Sequence, residues 1–443
     1  MKVNYPQTIL IKSDGSTAAE AYLSRLCNDT FLSLWSYPNV FRDQGRTNAC
    51  RTEAKGDGKE LCDLLVVCDN HIIIFSDKNC AFPNNGDLQT DWSRWYKKAV
   101  HHAAEQIWGA ERWINRFPTL LYLDNNCTVP FPLEIPPPEK AIFHRIVVAH
   151  GISEICKKHL GGSGSLMICP DIVGEMHVKR QNHPCNPFAL GKVDMDKGYV
   201  HIFDDTSLEI VMRTLDTITD FIQYLTKKEA LINSGRLVAA AGEEDLLAYY
   251  LKNIDSNNEH TFFPEGAEQF TAIVVDEGIW NAFSKHPSRL AQIKANEISY
   301  SWDKLIETFI FHVTHGTSYI MSHPSIKKQE EAFRFLAKEN RTRRRLLATH
   351  LHEFIKNTPE NSRGTRVILP SFPEESHYLF LLLPRVKNIS DDVYRKTRGQ
   401  LLENYLIILK LNFPNAAHII GLATETGFAD ERSEDFIYLG VRI

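Results

Sequence analysis

Asp63 and Lys78 are of residue types that could together hydrolyse a phosphodiester bond. An aspartate carboxylate can bind a divalent metal ion, and a lysine ammonium group can orient or help deprotonate the attacking water and offset the charge of the phosphate. This chemistry requires the two side chains to converge on one face of the fold. Ser76, two residues before the lysine, would have to share that face.

The stretch between these residues predicts a β-hairpin that meets the requirement. Two apolar runs, Leu64–Val67 and Ile72–Phe75, are joined by Asp69-Asn70, a pair that tolerates the positive φ angles of a two-residue turn. Counting outward from this turn sets Asp63 opposite the serine. Because side chains alternate along a strand and cross-strand partners share a face, the aspartate, serine and lysine should converge.

The hairpin resembles the core of the PD-(D/E)xK, or restriction-endonuclease-like, nuclease superfamily. In that core a helix carrying an acid precedes the Asp strand, the (D/E)xK strand and a second helix, and Asp63 and Lys78 match the motif's aspartate and lysine. The resemblance covers residues 18–115. It implies an α/β domain with a mixed sheet flanked by helices, and a nuclease that uses Mg²⁺ or Mn²⁺ on nucleic acid, with DNA as the expected substrate.

The chain departs from the motif at Ser76, where the second acid is expected. A β-bulge could turn Asp77 inward, or a carboxylate from Glu20, Glu53 or Glu60 could complete the metal site. Some branches of the superfamily carry an uncharged polar residue at this place. The third possibility is an inactive nuclease fold that binds nucleic acid or a protein partner.

Two helices should position the remaining candidate residues. The first is predicted from Thr17 to about Trp35, and Glu20 stands where the superfamily places its helical acid; the same glutamate can close a capping box with Thr17. The second is predicted from Asp91 to about residue 117, and its Gln106 either reaches the site, as in many nucleases of this superfamily, or is a core glutamine bonded to backbone.

Basic residues cluster in two places that could contact a nucleic-acid backbone. The first is the polar, glycine-containing segment 44–59, which leads into the Asp63 strand. The second is a helix near residue 340 with four arginines, Arg341, Arg343, Arg344 and Arg345. Glutamates lie close to the arginines along the chain, so a solvated helix face is the expectation there.

Composition favours a soluble globular protein, with 43% hydrophobic and 24% charged residues. A formal net charge of −5 means that any nucleic-acid surface must be a local patch. No run of about 18 apolar residues predicts a membrane span, and the start of the chain lacks a secretory apolar segment. Nine scattered cysteines without a C-x-x-C pair favour a reducing cytoplasm.

A chain of 443 residues predicts more than one domain. We predict a nuclease-like domain over residues 1–235, a mainly helical region over 236–361 and a small α+β domain over 362–443, which alternates strands and one long helix. The C-terminal half could bind a regulatory partner or a second copy of the chain. The outline is similar to that of bacterial restriction or antiphage effectors, an analogy at the level of architecture. A scaffold in which the motif is fortuitous is the remaining alternative.

Overall fold

A computed structural model describes residues 12–45, 57–179, 185–264, 272–315, 326–372, 375–386, 388–427 and 432–440. The chain divides into two units: Ile11–Lys294, and Ala295–Ile443 together with Met1–Leu10. Both units are mixed α/β structures. No helix within the described ranges combines the length and the hydropathy that crossing a membrane would require.

The first unit contains two sheets and the helices that cover them. Its strands are β1 (Ser36–Asp43), β2 (Gly58–Cys68), β3 (His71–Asn79), β4 (Leu121–Tyr122), β5 (Ile142–His150), β6 (Met167–Val173), β7 (Ala189–Lys192), β8 (Val200–Asp204), β9 (Leu237–Ala240) and β10 (Ile273–Val275). Its helices are α1 (Ala18–Phe31), α2 (Leu88–Tyr96), α3 (His102–Arg116), α4 (Ser153–Leu160), α5 (Ser207–Thr214), α6 (Ile218–Asn233), α7 (Glu243–Lys252) and α8 (Ile279–Ser284), and α9 (Pro287–Asn296) follows at the boundary.

The larger sheet has the strand order β4-β1-β2-β3-β5-β8. The predicted hairpin forms its centre: Cys68 pairs with His71 and Val66 with Ile73, which is the expected register. Asp69 has a φ of 57°, as a two-residue hairpin turn requires. Strand β5 then pairs with β3 in parallel along its whole length, without a shift of register.

Helices cover both faces of this sheet. Phe31 of α1 packs on Phe75, with ring centroids 6.2 Å apart. Ser76, which points to the opposite face from its neighbour in the strand, contacts Gln106 of α3. The prediction of a mixed sheet flanked by helices is confirmed at this level.

Strand β1 was not anticipated, because Pro38 lacks the N–H group that a strand in a sheet interior would donate. The structure accommodates it because Pro38 pairs with Leu64 on one side only. On the other side, β4 pairs just with Phe41 and Arg42, so β1 is effectively an edge strand at the proline.

Three predicted helices differ from the structure in their bounds, and the first of them, predicted to about Trp35, ends at Phe31. Asp87, not Asp91, caps the helix that leads to Gln106, through an Oδ1 contact to the backbone N–H of Gln89. This helix also contains a π-helical turn between α2 and α3, over Lys97–His101. The apolar spacing over residues 207–230 predicts a single helix, but the structure has two, because Thr217 caps a new helix by accepting from the backbone N–H of Asp220.

The smaller sheet, with the order β10-β9-β6-β7, determines where the first unit ends. We predicted a domain boundary near residue 235, where α6 ends. In the structure the chain continues beyond that point into β9, which pairs with β10 and with β6, so residues up to Lys294 belong to the same unit. The predicted boundary near residue 361 likewise falls inside a unit.

The second unit begins with helices and ends with a four-stranded sheet. Its helices are α10 (Tyr300–Thr314), α11 (Ile326–Ala337), α12 (Arg341–Asn357) and α13 (Asp391–Asn412), and its strands are β11 (Gly364–Ile368), β12 (His377–Leu383), β13 (His418–Glu425) and β14 (Asp435–Gly440). These strands and α13 lie within a few residues of the predicted ones. The sheet order is β11-β12-β13-β14, with β12 and β13 parallel across α13.

The arginine-rich helix of the second unit is neither a nucleic-acid surface nor a solvated face. Arg341, Arg343 and Arg344 are buried. The first and third of them each donate to one oxygen of Asp303, at 2.7 Å in both cases. Arg343 lies 3.4 Å from Glu375. One pair with a nearby glutamate does form, between Glu339 and Arg343 at 4.0 Å, but the shared partner of Arg341 and Arg344 is Asp303, which is distant along the chain.

We expect Asp303→Ala to lower the free energy of unfolding by about 3 kcal/mol, because two buried guanidinium groups lose their shared carboxylate. Asp391→Ala is the matched control, since its ion pair with Arg385 is exposed on both sides and should contribute less than about 1 kcal/mol. Denaturant unfolding of both variants measures the difference. Equal losses would mean that the Asp303 cluster is not desolvated.

Candidate active site

The carboxylate of Asp63 in β2 is the centre of the predicted site. Its Oδ2 accepts a hydrogen bond from the backbone N–H of Asp77 at 2.5 Å and one from the hydroxyl of Ser76 at 3.2 Å. Nζ of Lys78 lies 3.5 Å from the same oxygen. The hairpin therefore brings together the three residues that the sequence placed on one face. Oδ1 accepts no hydrogen bond from the described residues and is the oxygen left for a ligand.

The site is partly open to solvent. The side chain of Lys78 is 24% exposed and that of Asp63 is 14% exposed. Gln106 is exposed on α3 and its Oε1 lies 3.5 Å from the Ser76 hydroxyl, so the glutamine reaches the site, one of its two predicted roles. A lysine and an aspartate that are both fully buried would form a structural ion pair. Asp63 and Lys78 remain accessible to a ligand.

Asn39 links two further carboxylates, whose charges interact with that of Asp63. Its side-chain N–H₂ donates to Glu20 at 3.1 Å and to Glu60 at 2.8 Å. Glu20 also caps the start of its helix. The hydroxyl oxygen of Thr17 accepts from the backbone N–H of Glu20, and the Glu20 carboxylate accepts from the backbone N–H of Ser16. The capping role of Glu20 is therefore present, and its role as the helical acid of a metal site stays a prediction.

Sequence reasoning missed Asn39. Its φ of 48° lies in the left-handed region, which asparagine tolerates better than most residues. A lone asparagine after a helix carries no signal of a bridging role, and only the approach of β1 to β2 creates that role.

The pKa values of Asp63 and Glu60 are both raised, because nearby positive charge does not offset the factors that disfavour their charged forms. Burial raises the pKa of Asp63, and Lys78 and the two hydrogen bonds from Asp77 and Ser76 only partly oppose this. Burial also raises the pKa of Glu60, and the neighbouring charges of Asp63 and Glu20 add to the effect. Burial acts on Glu20 as well, but hydrogen bonds led by that from Asn39 lower its pKa. A cation at this place would relieve the repulsion.

Asp77 does not join this group, and the prediction that a bulge turns it inward is wrong. The β3–β5 register runs unbroken through Asp77, so its side chain points to the opposite face from that of Ser76. There its Oδ1 lies 3.2 Å from Nε2 of His150, while Nδ1 of the same histidine lies 2.9 Å from Asp205. Only the backbone of Asp77 serves the candidate site. Glu53, another predicted ligand, lies outside the described residues, as does most of the basic loop.

The carboxylates of the Asp63 group do not form a closed metal cage. Across the described ranges, the one set of three His, Cys, Asp or Glu side chains with donor atoms within 4.8 Å of one another is His101, His102 and Glu105, on the surface of the helix. Sequence reasoning missed this set, although the His-His-x-x-Glu spacing puts both histidines one turn from the glutamate. The Asp63 group instead offers spaced oxygens, which suits an ion that keeps water ligands, such as Mg²⁺.

Comparisons with family models, with curated proteins and with solved structures found no match to this chain.

His150 generates a pH-dependent prediction. Burial alone would lower its pKa, but hydrogen bonds and charge interactions with Asp205 and Asp77 raise it to about 9. This pKa lies above the ordinary value of 6.5, so the stabilisation is complete below about pH 6.5 and is lost as the pH rises through 9.

We expect the wild type to lose about 2 kcal/mol more of its free energy of unfolding than His150→Gln between pH 7 and pH 10, a figure reduced to allow for partial solvent exposure. Denaturant unfolding at the two pH values measures it. Equal losses in the two proteins would mean that the histidine is neutral in the folded state.

Proposed function

We propose that this protein is a metal-dependent nuclease of the PD-(D/E)xK type, with its active site at Asp63, Ser76, Lys78 and Gln106. The observation that carries the proposal is the convergence of an aspartate, a lysine and a glutamine from two strands and the following helix. Their order along the chain is that of the superfamily core. Glu20, on the preceding helix, reaches the same neighbourhood through Asn39.

The donor set fits Mg²⁺ or Mn²⁺. Each of Asp63, Glu60 and Glu20 has one carboxylate oxygen engaged in the hydrogen bonds described above, which leaves the other available. All three offer oxygen ligands, which hard divalent cations prefer, and Mg²⁺ commonly uses one or two carboxylates and completes its shell with water and substrate phosphate. We propose Asp63 and Glu60 as the metal ligands. Glu60 would supply the second carboxylate, which in the family motif stands at the position that Ser76 occupies here.

The bound ion would polarise the phosphate and lower the pKa of a water molecule. The chain's own residues would do the rest. Lys78 would orient the attacking water and stabilise the negative charge that develops on the phosphate. Ser76 and the backbone of Asp77 hold the Asp63 carboxylate in place. Gln106, at the edge of this group, would orient the water or a phosphate oxygen through its amide.

Lys78→Ala should lower the rate of phosphodiester cleavage by about 100-fold or more, since one electrostatic contact to the transition state is lost. Supercoiled plasmid, linear duplex DNA, single-stranded DNA and RNA, each with Mg²⁺ or Mn²⁺, are the substrates to compare. Lys140→Ala removes an exposed lysine from the same unit and should leave the rate unchanged. A cleavage rate that is the same in all three proteins would contradict the assignment.

Metal binding tests the site without requiring a substrate. We expect Asp63→Asn to weaken Mn²⁺ binding by about tenfold or more, because a charged ligand is lost. Asp77→Asn is the matched control: it removes the same charge from the next strand but on the opposite face, and should bind Mn²⁺ as the wild type does. Isothermal titration calorimetry or electron paramagnetic resonance of Mn²⁺ measures the affinity of both variants and of the wild type.

The same titration decides between the nuclease and an inactive nuclease fold that only binds. The observation favouring the inactive fold is Ser76, an uncharged residue at the acid position, with Lys78 close enough to neutralise Asp63. In that case wild type, Asp63→Asn and Asp77→Asn would show the same absence of Mn²⁺ binding.

A further inference from the structure

A cleft beside the proposed active site is lined by arginines and aromatic rings. It has a volume of about 940 Å³ and lies between β1 and the C-terminal half of α3. Its lining residues are Arg42, Gly109, Arg112, Trp113, Asn115, Arg116 and Phe117. No carboxylate is among them, so the cleft is positively charged in a chain whose net charge is −5.

The aromatic rings hold two of the guanidinium groups in place. The Arg42 guanidinium lies 4.9 Å from the centroid of the Trp113 ring, and that of Arg116 lies 5.1 Å from the Phe117 ring. The two aromatic rings contact each other, with centroids 4.8 Å apart. Cations stacked on rings keep their N–H groups free to bind a ligand, and the stack limits their motion.

Donors in this cleft lack acceptors. Nε of Arg42 and Nε1 of Trp113 are both buried and have no hydrogen-bond partner among the described residues. Within the same ranges, Arg42, Arg112 and Arg116 form no salt bridge. These two atoms are enclosed by protein, so the charge offered to a ligand is that of the exposed side chains of Arg112 and Arg116 and the remainder of the Arg42 guanidinium group. Guanidinium groups without a carboxylate partner among the described residues suit an anion. Burial lowers the pKa of Arg42, as expected for a charge that lacks a counterion.

The cleft and the proposed active site share helix α3, which carries Gln106 at the site and five of the residues that line the cleft. Gly109 and Trp113 follow Gln106 by three and seven residues, so these three residues share one face of α3. Seven residues of helix span about 10 Å, which is about three base steps along one strand of a duplex. A strand cleaved at Asp63 would therefore carry a neighbouring phosphate to the arginines.

We propose that this arginine cleft is a second anchoring site for the substrate, at which Arg42, Arg112 and Arg116 bind the backbone phosphates of a nucleic-acid strand a few nucleotides from the bond that is cleaved. The proposal rests on the proposed function for the identity of the strand. Guanidinium groups suit this role because their paired N–H donors match two phosphate oxygens. The contacts involve backbone alone, so the binding is independent of base sequence.

The test is Arg112→Ala/Arg116→Ala, a double variant in which both side chains are exposed, so that folding should be preserved. Binding of a short labelled duplex is measured by fluorescence anisotropy in EDTA, where no cleavage can occur. We expect binding about tenfold weaker than that of the wild type, and a plot of log K against log salt that is shallower by about 1.8, about 0.9 for each lost phosphate contact.

The matched control is Lys157→Ala/Lys158→Ala, which removes two exposed positive charges from α4 in the same unit. It should bind with the affinity and salt dependence of the wild type. If both double variants weaken binding equally, the effect is one of overall charge and the cleft is not the anchor. Unchanged binding in the arginine variant, or no binding by the wild type, also overturns the proposal.

Two further arms separate the possible outcomes. Inorganic phosphate and a nucleoside monophosphate are added as competitors; displacement of the duplex at submillimolar concentration by either would assign the cleft to a free phosphate ligand and overturn the polymer site. Cleavage of the same duplex with Mg²⁺ is measured in parallel for each protein. If binding depends on the arginines but none of the proteins cleaves, the nuclease proposal is refuted and the cleft remains a nucleic-acid site. If the wild type cleaves but binding does not depend on the arginines, the nuclease proposal stands and the cleft proposal is refuted.

Discussion

The register of the β2–β3 hairpin is the constraint on which the candidate site depends. With Asp69 and Asn70 in the turn, Asp63 lies beside Ser76 and Lys78, and Asp77 is on the other face. A slip of one residue would exchange these faces, because the side-chain period of a strand is two. The pairing of β3 with β5 continues this register without a bulge, so the sheet holds the arrangement from both sides.

The carboxylates near β2 and β3 have different neighbours on the two faces of the sheet. On one face Asp77 lies against His150, which also lies beside Asp205, so one histidine serves two carboxylates. On the other face Asp63, Glu60 and Glu20 have a single nearby lysine and a shared asparagine. The surplus of negative charge at that face is what a divalent cation would neutralise. This surplus favours the proposed cation site, because neighbouring carboxylates without a matching cation repel one another.

The two arginine clusters show the same contrast for positive charge. In the second unit, Arg344 is fully buried yet meets Asp303 and two backbone carbonyl groups, and Arg398 is likewise buried between Asp435 and Glu425. These guanidinium groups belong to the structure of the fold. In the cleft beside α3, aromatic rings support Arg42 and Arg116, and no carboxylate of the described residues pairs with the arginines there, so their charge remains available to a ligand. The presence or absence of a carboxylate partner, more than the number of arginines, distinguishes the structural arginines of the second unit from those of the cleft.

The sequence by itself determined the local features of this protein. The hairpin and its register, the capping role of Glu20 and the strands and helix of the last segment follow from alternation, turn residues and helix caps, all of which act between residues close in the chain. Tertiary structure decided the rest. Strand β1 with its proline, the bridge through Asn39, the face of Asp77, the partners of Arg341 and Arg344, and the extent of the first unit all depend on contacts between distant segments. No local pattern encodes such contacts, because they arise only when the sheets and helices pack.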